Sequence, residues 1–183
     1  MSRADGGETR QRLLVAAMSL GMRDGVGALS IQAMADAAGV SKALVLYHFE
    51  DKQALLVALL EHAVGRDVAA LESAARADEP MGALHTLVAD AEGVAVRGLI
   101  VALSREASLR ADAARLRAAR EGGATALATA VLRSAGVRPH VARTLLGQVL
   151  LQQLDGQATA DAPHGAREAT LDAFTLALLS LGE

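Results

Sequence analysis

Apolar side chains recur with helical spacing along most of the chain. A short example lies within residues 30–48, SIQAMADAAGVSKALVLYH, where one set follows the i, i+3, i+4, i+7 spacing of a single helix face. The members of this set are Ile31, Met34, Ala35 and Ala38. Ser30 can cap this helix, and Gly39 can end it because glycine reaches positive φ without a steric penalty.

A second short helix follows the glycine. Ser41 is the next capping residue, and residues 42–48 form the helix after it. Two short helices joined by a tight turn predict a helix-turn-helix, whose second helix lies in the major groove with its N-terminal residues at the base edges. Those residues are Lys42, Ala43 and Leu44. Lysine can donate to the O6/N7 edge of guanine, and small apolar side chains can touch a thymine methyl group.

The remaining pattern predicts further helices. Helix 1 covers about residues 8–23 after a disordered start at residues 1–7, and helix 4 begins at Lys52 and continues to a turn near residues 78–80. Helices 5 and 6 are marked by apolar residues at 84–91 and 99–103, and helix 7 covers about 111–135 with a possible kink at Gly122 and Gly123. Pro139 opens helix 8, which ends near residue 156, and helix 9 covers about 166–181. We therefore expect about nine helices.

Composition agrees with an all-α fold. Of the 183 residues, 52% are hydrophobic but only 2% are aromatic, and prolines number three. The absence of cysteine excludes disulfides and thiolate metal sites. No apolar run approaches the ~20 residues of a membrane span, and the first ten residues lack a hydrophobic signal core, so we expect a cytoplasmic protein without a membrane partner.

The charge balance does not favour DNA binding. The net charge is −3, and residues 1–62 contain six Lys or Arg against seven Asp or Glu. Phosphate contact is local, however, and backbone N–H groups at helix N-termini can hold phosphates without lysine. Specific binding with a shallow salt dependence is the expectation.

The N-terminal sequence resembles the TetR family of bacterial repressors. The resemblance covers residues 9–61 and is carried by TRQRLLVAA, DGVGALSIQAMADAAGVSKA and YHFEDKQALLVALLE, which occur in the family's order and spacing. It implies a helix-turn-helix DNA-binding domain at residues 1–54 and a helical ligand-binding and dimerisation domain at residues 55–183. It also implies a regulator, most simply a homodimeric repressor released from a palindromic operator by a small effector.

The resemblance assigns DNA contacts to individual residues. Tyr47, His48 and Lys52 match positions that contact phosphates, and Gln32 matches a position that can reach a base edge. Leu46 departs from the family, which usually has a tyrosine there. Each contact has a plainer alternative, such as packing by Tyr47 or solvation of Gln32. The complete set of expected DNA-binding residues is Ser30, Gln32, Ser41, Lys42, Ala43, Leu44, Tyr47, His48 and Lys52.

The second half of the chain is expected to bind the effector and a second copy. A pocket between helices 5 to 8 would be apolar and would suit a lipophilic compound, although the same residues could equally form the core. Its expected lining is Leu84, Val88, Leu103, Leu127 and Gln148. Helices 8 and 9 are apolar over more than one stripe, which predicts a dimer interface, the alternative being a monomer with one thick core. The expected interface residues are Val149, Leu150, Leu154, Leu171, Phe174 and Leu178.

No group of residues points to catalysis. The five histidines include no i, i+4 pair, and neither a nucleophile elbow nor a glycine-rich phosphate loop occurs. We therefore expect no enzyme, cofactor or metal site. The alternative to a regulator is a helical dimeric interaction or scaffold protein with a vestigial helix-turn-helix, which the acidic balance and Leu46 would favour.

Overall fold

A computed structural model of the chain describes residues 3–159 together with 166, 169–170, 172–173 and 175–176. This part of the chain is all-α and has no β-strand, which confirms the predicted fold class. The eight α-helices are α1 Arg3–Asp24, α2 Ile31–Ala38, α3 Lys42–Phe49, α4 Lys52–Ala75, α5 Pro80–Ala89, α6 Ala91–Ser104, α7 Arg110–Ser134 and α8 Arg143–Thr159. Two short 3-10 helices occur at Val26–Ala28 and Ala107–Leu109. The predicted ninth helix lies mostly outside the described residues.

Some predicted boundaries were wrong. Helix α1 begins at Arg3, so the expected disordered start does not extend to residue 7. An established helix propagates at low cost, and this one continues through two glycines that favour other conformations. Helix α8 begins at Arg143, four residues after the proline expected to open it. Helix α7 passes through Gly122 and Gly123 without a break.

By internal packing the chain falls into two compact units. The first consists of residues 1–63 and 99–114. Its core is apolar and includes Leu13, Met34, Val45, Leu59 and Leu103, all of which are fully or almost fully buried. The Gln53 side-chain amide donates a hydrogen bond of 2.7 Å to the Ser108 carbonyl, which links α4 to the second 3-10 helix within this unit.

The second unit consists of residues 64–98 and 115–183. Leucine, valine and alanine side chains from α4, α5, α7 and α8 form its apolar core, with Leu71, Leu127 and Val131 completely buried. Gly147 allows α7 and α8 to approach closely, because a Cβ atom there would lie 2.7 Å from the Thr125 nitrogen and 2.8 Å from its Cα. Gly123 has a similar role, because a Cβ atom added there would lie 3.1 Å from the Cβ of Leu71.

Four charged side chains lie inside the second unit. They are Asp67 of α4, Arg97 of α6, Arg120 of α7 and Asp155 of α8. Arg120 donates from Nε to Asp67 at 2.8 Å and from Nη2 to Asp155 at 2.6 Å. Arg97 contacts Asp67 at 3.5 Å and donates to the Leu87 carbonyl at 2.8 Å. One carboxylate thus bridges two guanidinium groups, and the cluster has two charges of each sign.

The two arginines have different electrostatic environments. Burial lowers the pKa of Arg97, and the nearby carboxylate of Asp67 only partly opposes this. For Arg120 burial also disfavours the charge, but the hydrogen bond to Asp155 and the attraction of both carboxylates raise its pKa. Among the described residues the Nε of Arg97 has no hydrogen-bond partner. Arg97 is therefore the less well satisfied of the two cations.

Candidate nucleic-acid interface

The two short helices of the helix-turn-helix are defined by side-chain caps. The Ala33 N–H donates to the Ser30 hydroxyl at 3.0 Å, and the Leu44 N–H donates to the Ser41 hydroxyl at 3.2 Å. Gly39 ends α2 in the left-handed conformation at φ +65°. Both predicted caps and the predicted turn are confirmed, because each depends only on residues a few positions apart.

Helix α3 has one buried side and one exposed side. Val45 and Phe49 are buried in the first unit, where α3 packs against α2. Lys42, Ala43 and Tyr47 are exposed, the tyrosine at 75% of its surface. Leu44 is half-buried. The side chains that were predicted to meet base edges therefore lie on or beside a surface that the described residues leave open.

The aromatic side chains at the end of α3 contact one another and Arg10. The rings of Tyr47 and His48 meet edge to face at 5.2 Å between centroids, and the guanidinium carbon of Arg10 lies 5.0 Å from the centroid of the Phe49 ring. His48 is half-buried, and its Nε2 has no hydrogen-bond partner among the described residues. A phosphate contact through that nitrogen would require the ring to move. Arg10 was not identified from sequence, because its partner ring belongs to a distant helix.

Gln32 is positioned by a neighbouring carboxylate. Its amide nitrogen donates to the Asp36 side chain at 2.8 Å, one helical turn away. This hydrogen bond turns the donor side of the amide towards Asp36 and leaves the carbonyl oxygen available to accept. An acceptor suits the amino group of adenine or cytosine in the major groove. Bidentate pairing with adenine would use the second hydrogen of the same amide nitrogen.

Lys52 is exposed in the first turn of α4. That helix is capped by Asp51, whose carboxylate accepts from the Ala54 N–H at 2.7 Å, as predicted. Glu50, between α3 and α4, has a φ of +49°, which is uncommon for a residue with a side chain. The Ser30 and Ser41 caps, Gln32, the exposed end of α3 and Lys52 all belong to the first unit.

The residues that were expected to line the effector pocket lie in several different environments. Leu84, Val88 and Leu127 lie in the buried apolar core of the second unit, which is the alternative that the sequence left open. Gln148 is exposed on α8, and Leu103 is buried in the first unit. The pocket remains a prediction. A groove in the second unit is lined by other residues and is described below.

The expected dimer residues divide into three groups. Val149 is 40% exposed, and Leu145, one turn away on α8, is 47% exposed. Leu150 and Leu154 are buried in the core of their own chain, so they can support the exposed surface of α8 but have no surface of their own to offer a partner. Leu171, Phe174 and Leu178 lie outside the described residues.

Comparison with solved structures supports the fold. The TetR family transcriptional regulator PfmR from Thermus thermophilus is 23% identical, with a TM-score of 0.65 over 92% of this chain and 97% of that one. The transcriptional regulator FadR from Bacillus subtilis, solved with stearoyl-CoA, is 15% identical, with a TM-score of 0.67 over 94% and 99%. NalD, the secondary repressor of the MexAB-OprM multidrug efflux pump in Pseudomonas aeruginosa, is 19% identical, with a TM-score of 0.59 over 97% and 98%. No curated protein matches the sequence.

The N-terminal sequence matches a protein-family model. Residues 13–59 match the model of bacterial regulatory proteins of the tetR family, and this segment contains the helix-turn-helix described above. This segment is a DNA-binding domain of the tetR-family type, as the sequence predicted, and a domain of this type is characteristic of transcriptional regulators. Among the described helices none combines the length and apolar character needed to cross a membrane.

Proposed function

We propose that this regulator is a homodimeric repressor that binds a palindromic operator in the cytoplasm and is released by a small effector. The observation that carries the proposal is the exposed surface of α3, where Lys42, Ala43 and Tyr47 project from a helix held in place by Val45 and Phe49. Two such helices related by a two-fold axis would read two half-sites about one helical turn apart.

Each contact in the proposal has a distinct role. Lys42 would donate to a guanine edge, Ala43 and Leu44 would touch thymine methyl groups, and Gln32 would accept from a base amino group. Tyr47, His48 and Lys52 would hold phosphates and so fix the register, together with the backbone N–H groups at the N-termini of α2 and α3 that Ser30 and Ser41 initiate. His48 would need to turn outwards to do so.

For the effector we propose a small lipophilic compound that binds within the region 55–183, while residues 1–54 act as the DNA-binding domain. Support comes from the leucine-rich and valine-rich interior of the second unit and from FadR, which was solved with an acyl-CoA. Release requires the effector to prefer the non-binding conformation, by several kcal/mol if the shift is to be nearly complete. No catalytic step enters this mechanism.

Two experiments test whether the protein recognises a DNA sequence. The first selects the duplexes that the protein binds from a random pool, and the second replaces single lysines. Wild-type protein should recover a palindrome, whereas recovery of no sequence would favour the scaffold alternative. Lys42→Ala should cost about 1–3 kcal/mol on the preferred sequence and relax the preference at one base pair of each half-site. Lys52→Ala should weaken binding to all sequences alike. It should also reduce the slope of log affinity against log salt concentration by about 1.

The matched control is Arg105→Ala, which removes one exposed positive charge from the same unit but outside the helix-turn-helix. Its affinity should stay within about twofold of wild type, as expected when no phosphate contact is lost. Fluorescence anisotropy at several salt concentrations measures all three variants. Equal losses for Lys42→Ala on every base sequence would contradict the assignment of Lys42 to base reading.

The dimer is tested at the exposed surface of α8. Val149→Arg places a charge on that surface without disturbing the core, because Val149 is 40% exposed in the single chain. We expect dimer dissociation to become at least about thirtyfold more favourable, the size of effect seen at interface hot spots. Analytical ultracentrifugation measures the change. Val15→Arg, at a similarly exposed valine of α1, is the control and should leave the dimer intact.

A further inference from the structure

A groove of about 470 Å³ lies on the second unit, outside the helix-turn-helix. Residues of α4, α7 and α8 line it together with Arg76, which directly follows α4, and the lining has three arginines, Arg76, Arg133 and Arg143. Glu72 is the only acidic residue in the described lining. The volume is in the range of small-molecule sites, which usually measure about 300–1,000 Å³. The groove therefore combines adequate space with an excess of positive charge.

Within the described part of the chain, two of the three arginines have no partner carboxylate. Arg76, directly after α4, contacts Glu72 at 3.4 Å, so the acidic residue of the groove is already engaged. Among the described residues Arg133 and Arg143 have no ion-pair partner. Both side chains are exposed and retain their planar sets of N–H donors, which suit the oxygen atoms of a phosphate group.

The position of Arg143 is unfavourable for its own helix. It is the first residue of α8, where the helix dipole presents its positive end, and the first turn contains no acidic residue to compensate. Arg133, in the last turn of α7, lies where the dipole favours a cation. A bound anion would remove the repulsion at the start of α8 and could also accept from the free N–H groups of that first turn. A cation that weakens its own helix in this way is characteristic of a functional site.

Small residues keep the groove open. Gly122, Thr125 and Ala126 of α7 are part of its lining. Gly122 is exposed, and a Cβ atom added to it would meet nothing within 4 Å. Since a larger residue at this position would favour the helix, the glycine leaves space at some cost to α7.

From these features we propose that the groove binds a small phosphate-bearing metabolite. Arg133 and Arg143 hold the phosphate oxygens, the start of α8 contributes its dipole, and the remainder of the ligand lies along the short side chains of α7. The site goes beyond the proposed repressor function and does not depend on it, because every residue involved belongs to the second unit.

Calorimetric titration of the full-length protein with inorganic pyrophosphate, without DNA and at constant ionic strength, tests the proposal. We expect a dissociation constant of about 1 mM or tighter for the wild type. Arg133→Gln and Arg143→Gln should each weaken binding roughly fivefold or more, since each removes a charge-assisted contact. Arg138→Gln is the matched control, because Arg138 is exposed in the same unit but does not line the groove, and it should bind like the wild type.

A second variant separates the groove from general charge effects. Gly122→Leu keeps every charge and favours the helix, but its side chain would occupy the open space. It should melt at or above the wild-type temperature and should lose most pyrophosphate binding. Wild-type binding by Gly122→Leu, equal weakening by Arg138→Gln, or no wild-type binding at millimolar pyrophosphate would each overturn the proposal.

Discussion

Replacing Asp67 with asparagine is expected to lower the free energy of unfolding by about 3–5 kcal/mol, because it removes the shared partner of two buried cations. The Asp67 side chain is 1% exposed and contacts both Arg97 and Arg120. Without its charge the cluster has a net positive charge inside the second unit, and Arg97 loses the carboxylate that lies 3.5 Å from it. Urea denaturation at one fixed protomer concentration measures the loss, since dimer formation would make stability concentration-dependent.

The control for this variant is Glu92→Gln. Glu92 pairs with Arg66 at 2.8 Å, and the pair joins the same two helices, α4 and α6, as Asp67 and Arg97. Both members are exposed, so the expected loss is under about 1 kcal/mol. The difference between the variants measures the combined effect of burial and of the second arginine partner. If Asp67→Asn were no less stable than Glu92→Gln, the cluster would not be the electrostatic centre that its geometry indicates.

Gly147→Ala is the second substitution with a large expected effect. The new Cβ atom would overlap the Thr125 hydroxyl and would lie within 2.8 Å of two backbone atoms of α7, so one of the two helices must move. Overpacking of this kind costs about 1–3 kcal/mol or more. Helix propensity predicts the opposite sign, because alanine favours a helix interior by about 1 kcal/mol over glycine. We expect steric overlap to dominate and the melting temperature to fall.

Gly156→Ala provides the matched comparison within α8. No atom lies within 4 Å of the Cβ that it would introduce, so only the gain in helix propensity of about 1 kcal/mol should remain. Its melting temperature should rise while that of Gly147→Ala falls. A stabilised Gly147→Ala variant would mean that α7 and α8 are less closely packed at Thr125 than the structure shows.

Local features were predictable where their cause lay within a few residues. The caps at Ser30, Ser41 and Asp51 and the left-handed Gly39 follow from side-chain chemistry and φ preference alone, and all four are present. The start of α8 was wrong because a proline permits a helix start without requiring one.

Long-range packing was not predictable in the same way. Leu84, Val88 and Leu127 are apolar on helix faces, and this pattern is the same for a core residue as for a pocket residue. Leu150 and Leu154 share the apolar character of Val149, yet only Val149 faces outwards. A helix with more than one apolar stripe must contact more than one surface. The sequence does not show which stripe is covered by the protein's own core.

The sequence by itself determined that the chain is all-α, that a capped helix pair with a glycine turn lies near its N-terminus, and that this pair lies in a segment of the tetR-family type. Tertiary structure alone decided that Asp67, Arg97, Arg120 and Asp155 meet inside the second unit and that Gly147 is a contact point between helices. The physical reason is sequence separation. Helical spacing and capping act over a few residues, whereas a buried ion pair or a close helix crossing depends on which distant faces the fold brings together.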